Sequence, residues 1–206
     1  MLYLRMIDGG QMRLLNRRYE EIKKTVIEMF EKYGIKNIPV DCFEICEKLN
    51  IKLIPYSKLT ETDLEKAKEI SKDGFCLLFE DRNHEQWYIF YDDTMPEKRI
   101  RFTIMHEVAH IVLDHTEHSE LAESEANFFA GYALAPPPLV FALEPNDFTE
   151  IADRFDLSYE CALNAMRSYT KWLKYGPKKL LDWGCRIKNM IIFNGSVPYV
   201  VYFLLN

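Results

Sequence analysis

Ile100-Arg101-Phe102-Thr103-Ile104-Met105-His106-Glu107-Val108-Ala109-His110-Ile111-Val112-Leu113 is the stretch around which the rest of the chain is read. On a helix of about 3.6 residues per turn, positions four apart lie about 40° from each other around the axis, so His106 and His110 point the same way one turn apart. That is the spacing two imidazoles need to grip one metal ion. Glu107 stands beside them without being a ligand. A carboxylate so placed can take the proton from a metal-bound water, the chemistry of an HExxH zinc peptidase. The bare motif arises by chance in many chains, and the surroundings decide here: Phe102, Ile104, Met105, Val108, Ala109, Ile111, Val112 and Leu113 are apolar nearly all round the helix. Such a helix is buried, and buried groups able to carry charge are rarely left without partners.

A zinc site of this kind takes three protein ligands and leaves a fourth position for water. The metzincin pattern is excluded, because Leu113 and Thr116 stand where it needs Gly and His. His115 lies about 140° around the helix from His110, and both it and His118 are read as solvated in a polar segment where the helix ends. The next helix is expected from Ser119, a good N-cap, to Ala135, before Pro136-Pro137-Pro138. Two acids compete within it. Glu125 shares an apolar stripe with Leu121, Ala122, Phe128 and Phe129, whereas Glu123 points about 160° away, on the side of Glu120 and Asn127. A lone carboxylate in an apolar stripe is costly unless something positive meets it, so Glu125 is the expected third ligand. Asn127 is then an outer polar group.

The run from Arg101 to Leu113, followed by Glu123-Ser124-Glu125-Ala126-Asn127-Phe128-Phe129-Ala130 and Leu134-Ala135-Pro136, resembles the ImmA/IrrE family of metallopeptidases. The likeness extends from about Asn16 to about Lys174. It implies that His106, His110 and Glu125 hold zinc, that Glu107 is the general base, and that the substrate class is helix-turn-helix repressors of mobile elements or stress genes. From the residues alone the reading stops at a zinc hydrolase, with a non-catalytic zincin-like protein that binds a repressor or toxin partner as the alternative.

A chain of 206 residues, 48% hydrophobic, suffices for one sizeable core. The expected class is α+β: a zincin-like metallopeptidase core with a small β-sheet on the HExxH helix (about residues 16–145), a helical cap (about 146–175) and a C-terminal hairpin or tail (176–206). A net charge of −6 and a pI near 5.5 leave no basic footprint for nucleic acid. Five cysteines, odd in number and set mostly in apolar runs without a signal-peptide pattern before them, read as reduced thiols of a cytoplasmic protein. Cys42 and Cys46 are four apart but lack a second pair, so they are read as core rather than as a metal site.

Asn16 to Tyr33 is expected to be an amphipathic helix closed by Gly34, Asp41 to cap a second helix, and Ile51 to Tyr56 to be a strand. Lys58 to Asp73 is charged and reads as a mobile helix or loop, a candidate flap. Gly74–Glu80 and Gln86–Tyr91 read as a β-hairpin whose edge could hold an extended peptide. Thr94, Pro96 and Glu97 read as a capping box opening the metal helix. After the prolines a connection to Asn146 is expected. Two helices follow, Thr149–Phe155 and Ser158 to about Lys174, spaced like a helix-turn-helix but with five acids against four bases, which opposes DNA contact. Residues 187–205 carry the Asn194-Gly195 signal of a hairpin and are too interrupted for a membrane span. Tyr132, two turns beyond Glu125, is a candidate oxyanion donor.

Overall fold

The computed structural model describes residues 7–8, 11–12, 14, 16–81, 84–175 and 192–193. The chain forms two compact units that interleave along the sequence. One comprises Met1–Ile22 and Cys42–Ala130, the other Lys23–Asp41 and Gly131–Asn206.

In the first unit a short antiparallel pair, β1 (Ile7–Asp8) and β2 (Gln11–Met12), precedes the opening turns of α1 (Asn16–Tyr33). Then come α2 (Cys42–Lys48), β4 (Lys52–Pro55), a 3-10 turn at Tyr56–Lys58, α3 (Glu61–Ile70), β5 (Gly74–Asp81), β6 (His84–Tyr91), α4 (Glu97–Val112) and most of α5 (Glu120–Leu134). The sheet runs β4-β6-β5, with β4 parallel and β5 antiparallel to β6. This is the mixed α+β arrangement expected, with a small sheet packed on the HExxH helix. The hairpin is longer than its sequence indicates, its strands reaching Asp81 and His84.

Alternation along β5 sorts the two faces of the sheet. At Gly74 an added Cβ would sit 2.7 Å from Thr103 Cγ2 of α4 and 2.8 Å from the Phe90 carbonyl, so α4 lies on the side of Gly74 and Cys76. Replacing Gly74 by Ala is expected to cost about 1–3 kcal/mol in a denaturant titration, because the backbone oxygen cannot retreat as a side chain could. Phe75 points the other way. It stacks on Phe90 at 5.1 Å and joins Tyr56, Leu59, Leu64 and Ala67 in one apolar cluster. The segment read as a candidate flap is therefore α3, packed on the face of the sheet opposite α4. Leu64 and Ala67, one turn apart, are its contacts with that cluster.

The capping box at Thr94 is not formed. Thr94 donates its hydroxyl to Asp92 at 2.6 Å, and α4 begins at Glu97 after Pro96, whose side chain makes no cap. The next helix starts as expected: Ser119 Oγ accepts from the Ala122 amide at 3.1 Å. Cys42 and Cys46 are both 1% exposed in the core.

The second unit holds the rest of α1, β3 (Asn37–Ile38), the end of α5, α6 (Pro137–Leu143), α7 (Phe148–Phe155), α8 (Tyr159–Tyr175) and β7 (Ile192–Phe193), which pairs in parallel with β3. Gly34, at φ 64°, closes α1 as expected. The connection expected after the prolines is a helix instead. Pro137 and Pro138 occupy its first turn, where amide hydrogens have no intrahelical acceptor to lose. Asp147 caps α7 by accepting from Thr149 and Glu150 amides, and left-handed Asp156 turns the chain into α8, so the helix-turn-helix spacing is real. Its inward face is Ile151, Ala152, Phe155, Leu157 and Ala162. Among the described residues one stretch, Glu120–Leu143, has the length and hydropathy of a membrane span, and 72% of its apolar 18-residue window is buried. Apart from β7, the hairpin expected over 187–205 lies outside the described residues, as does Cys185.

Candidate metal centre

α4 is anchored by Ile104, Met105, Val108 and Ala109, all fully buried, and this orientation turns His106 and His110 toward the start of α5. Their Nε2 atoms lie 3.0 Å apart. Glu123, in the first turn of α5, completes a triangle: its Oε2 is 3.3 Å from His106 Nε2 and its Oε1 is 3.5 Å from His110 Nε2. A tetrahedral divalent ion with bonds of about 2.0–2.1 Å requires ligand atoms about 3.3 Å from one another. The triangle meets that requirement, and its three residues are the group among the described residues whose donor atoms all fall within 4.8 Å of each other.

The electrostatics agree with the geometry. Burial lowers the pKa of His106 against the pull of Glu123, and burial together with the other histidines brings His110 down to about 4. Both imidazoles are therefore neutral near pH 7, the form that binds a metal. Glu107, 8% exposed, faces β5, where it shares a hydrogen bond with Cys76. Burial pushes its pKa up to about 7, with the Glu123 charge adding to the rise and the Cys76 thiol opposing it. A carboxylate whose affinity for a proton is raised to that level is suited to accept one and give it back.

Glu125, the third ligand expected from sequence, is not brought to the two histidines in the structure. Arg18 of α1 donates through Nε to its Oε1 at 2.8 Å and through Nη2 to its Oε2, while His115 Nε2 sits 3.1 Å from Oε2. The premise that a carboxylate in an apolar stripe needs a positive partner was sound. The partner is a guanidinium from a segment more than a hundred residues earlier in the chain. Edge-on packing of Tyr19 against Phe128, centroids 4.6 Å apart, holds these turns of α1 and α5 together. Burial raises the pKa of Glu125, but the bonds and charges of Arg18 and His115 outweigh it and leave it below the ordinary 4.5. A carboxyl depressed on folding contributes stability that is present above its unfolded pKa and lost as pH falls through the folded one. Denaturation series from about pH 6 to about pH 3 are thus expected to show a shallower acid-side loss for Glu125→Gln than for the wild type. Parallel slopes would mean that the pair adds nothing.

His115 also departs from its expected place. It is not solvated: its side chain is 10% exposed and its Nδ1 lies 3.0 Å from Nδ1 of His110. The count of 140° presumed an unbroken helix. Asp114 is left-handed at φ 55°, and the His115 amide turns back to the His110 carbonyl at 3.0 Å, placing the two rings side by side. On the other flank Asn127 Oδ1 lies 3.1 Å from His106 Nδ1, so Asn127 is the outer polar group expected of it. Tyr132 falls in the second unit, where it is 5% exposed.

Arg18 and the role of His115 were missed in the sequence. A signal for Glu123 is present in the sequence: Asn127 lies four residues on, on the same face. A family model, the IrrE N-terminal-like domain of the M78 peptidases, matches residues 46–167, more than half of the chain. No curated protein matches it.

Proposed function

Because the chain belongs to the M78 peptidase family through its IrrE N-terminal-like domain, a family of metallo-type peptidases, we propose that it is a zinc-dependent endopeptidase that cuts a helix-turn-helix repressor. The observation that carries this reading is the convergence of His106 Nε2, His110 Nε2 and the Glu123 carboxylate beside a buried Glu107. Zinc held by these three residues would polarise the scissile carbonyl and acidify the attacking water. Glu107 takes the proton of that water and passes it to the leaving amine. His106 and His110 stay neutral, and Glu123 offsets the charge of the ion.

β5 lies at the edge of the sheet and presents Cys76 to Glu107. An extended substrate paired along β5 would bring its backbone past the general base, with hydrogen bonds holding it irrespective of side chain. This favours an unfolded or locally opened segment of the repressor as the scissile region. The free thiols of Cys42, Cys46, Cys76 and Cys161 fit a cytoplasmic setting. The test is incubation of the purified chain with the repressor encoded beside its gene, with Zn²⁺ and with a chelator. Two discrete fragments that vanish with the chelator are expected. An intact repressor that nonetheless co-purifies with the chain would replace the peptidase reading with that of a binding protein.

A further inference from the structure

His110 is tied to a chain of polar groups that leads away from the metal position: His110 Nδ1 to His115 Nδ1 at 3.0 Å, His115 Nε2 to Glu125 Oε2 at 3.1 Å, and Glu125 to Arg18. The direction of the protons along it follows from what each group can do. Arg18 only donates, and an ionised Glu125 only accepts. His115 must then carry its proton on Nε2, which in a neutral ring leaves Nδ1 as an acceptor. The group facing that acceptor is His110 Nδ1, so it bears the proton of His110. The Nε2 lone pair of His110 is thereby bare, 3.0 Å from His106 Nε2 and 3.5 Å from Glu123.

Resting on the metal-centre reading above, we propose that His115, oriented by Glu125 and Arg18, is a positioning residue that selects the Nδ1–H tautomer of His110 and aims its Nε2 at the metal. Two features make this a built device. The backbone bond from His115 to the His110 carbonyl and the left-handed Asp114 hold the two rings in register, with centroids 4.9 Å apart. The side chains of His115 and Glu125 are only 10% and 7% exposed, so water does not compete for these bonds. Arg18 stands outside the segment that matches the family model, so the far end of the relay is supplied by this chain's own N-terminal helix. His106 has a separate outer partner in Asn127, and the two ligands are oriented independently.

The test compares the full-length wild type with His115→Leu, which removes both nitrogens, and His115→Gln, whose amide keeps an acceptor and a donor. Zn²⁺ affinity is measured by chelator competition, with His106→Ala marking the site. Loss of an outer-shell partner is expected to weaken Zn²⁺ binding by about 10–100-fold in His115→Leu, with most of it regained in His115→Gln. Imidazole nitrogen shifts of the metal-stripped wild type are expected to show the His110 proton on Nδ1, a readout that stands even if His115→Leu fails to fold. Unchanged Zn²⁺ affinity in a folded His115→Leu, or the His110 proton on Nε2, overturns the inference while leaving the metal centre intact. A wild type that binds no Zn²⁺ at the site abolished by His106→Ala overturns both.

Discussion

Glu107→Gln is expected to leave the protein folded and metal-loaded while cleavage falls by about 10²–10⁴-fold, the range that a positioned general base supplies. Gln has the shape of the protonated carboxyl but cannot accept a proton, so the variant removes one property and keeps the packing. The environment supports the separation of effects. Burial that pushes Glu107 up to about 7 disfavours its charged form, so a neutral isostere loses no folding free energy there. Above pH 7 the wild type bears a buried charge that folding opposes, and the variant does not. It should therefore melt no lower than the wild type, and chelator competition should return the same Zn²⁺ affinity within a few-fold. A cleavage rate within tenfold of wild type, at saturating Zn²⁺, would remove Glu107 from the chemistry.

The second large effect separates the two acids of α5. Glu123→Ala deletes one of three candidate ligands and is expected to weaken Zn²⁺ binding by more than about 100-fold, beyond what the loss of an outer-shell partner brings. Glu125→Gln keeps the ligand triangle and should stay within the outer-shell range of about 10–100-fold, through the relay to His110. The stability effects run the other way. Glu123 has a side chain 47% exposed, and its removal leaves no buried charge behind, whereas Glu125→Gln takes from Arg18 the nearer of its two carboxylates and leaves it Glu21 at 3.5 Å. Co²⁺ in place of Zn²⁺ makes the distinction visible, since its absorption bands respond to the number and type of ligands. Bands altered by Glu123→Ala and retained in Glu125→Gln are expected. The reverse pattern would return Glu125 to the metal and Glu123 to solvent.

The confusion of these two acids is instructive because the physical premise was correct and its application was not. A buried carboxylate does demand a positive partner, but Arg18 answers that demand as well as a metal ion could. A metal site that must admit water and substrate is open on one side, so its ligand comes from a half-exposed face rather than from the driest stripe. By that criterion Glu123, with Asn127 on the same face beside His106, was the better choice from sequence. His115 was misplaced for a different reason. Helical periodicity stops at the first left-handed residue, and Asp114 gave no warning stronger than its type.

The fold divides along similar lines. α1, α4, α5, α7, α8 and the β5–β6 hairpin were legible within a residue or two, because each has a period or a turn signal contained in its own segment. α6 was read as a connection because the run of prolines obscured a helix whose first turn tolerates them. α3 was read as a flap because charge dominates its composition, while the few apolar residues that place it on the sheet depend on Tyr56 and Phe75.

Local spacing alone therefore determined that two imidazoles share one helical face with a glutamate beside them, since neighbours four apart on a helix meet whatever surrounds them. That Glu125 meets a cation of the chain itself, and that this cation is Arg18, was decided only by tertiary structure. Arg18 and Glu125 stand 107 positions apart, and no periodicity within either helix records that the two side chains meet.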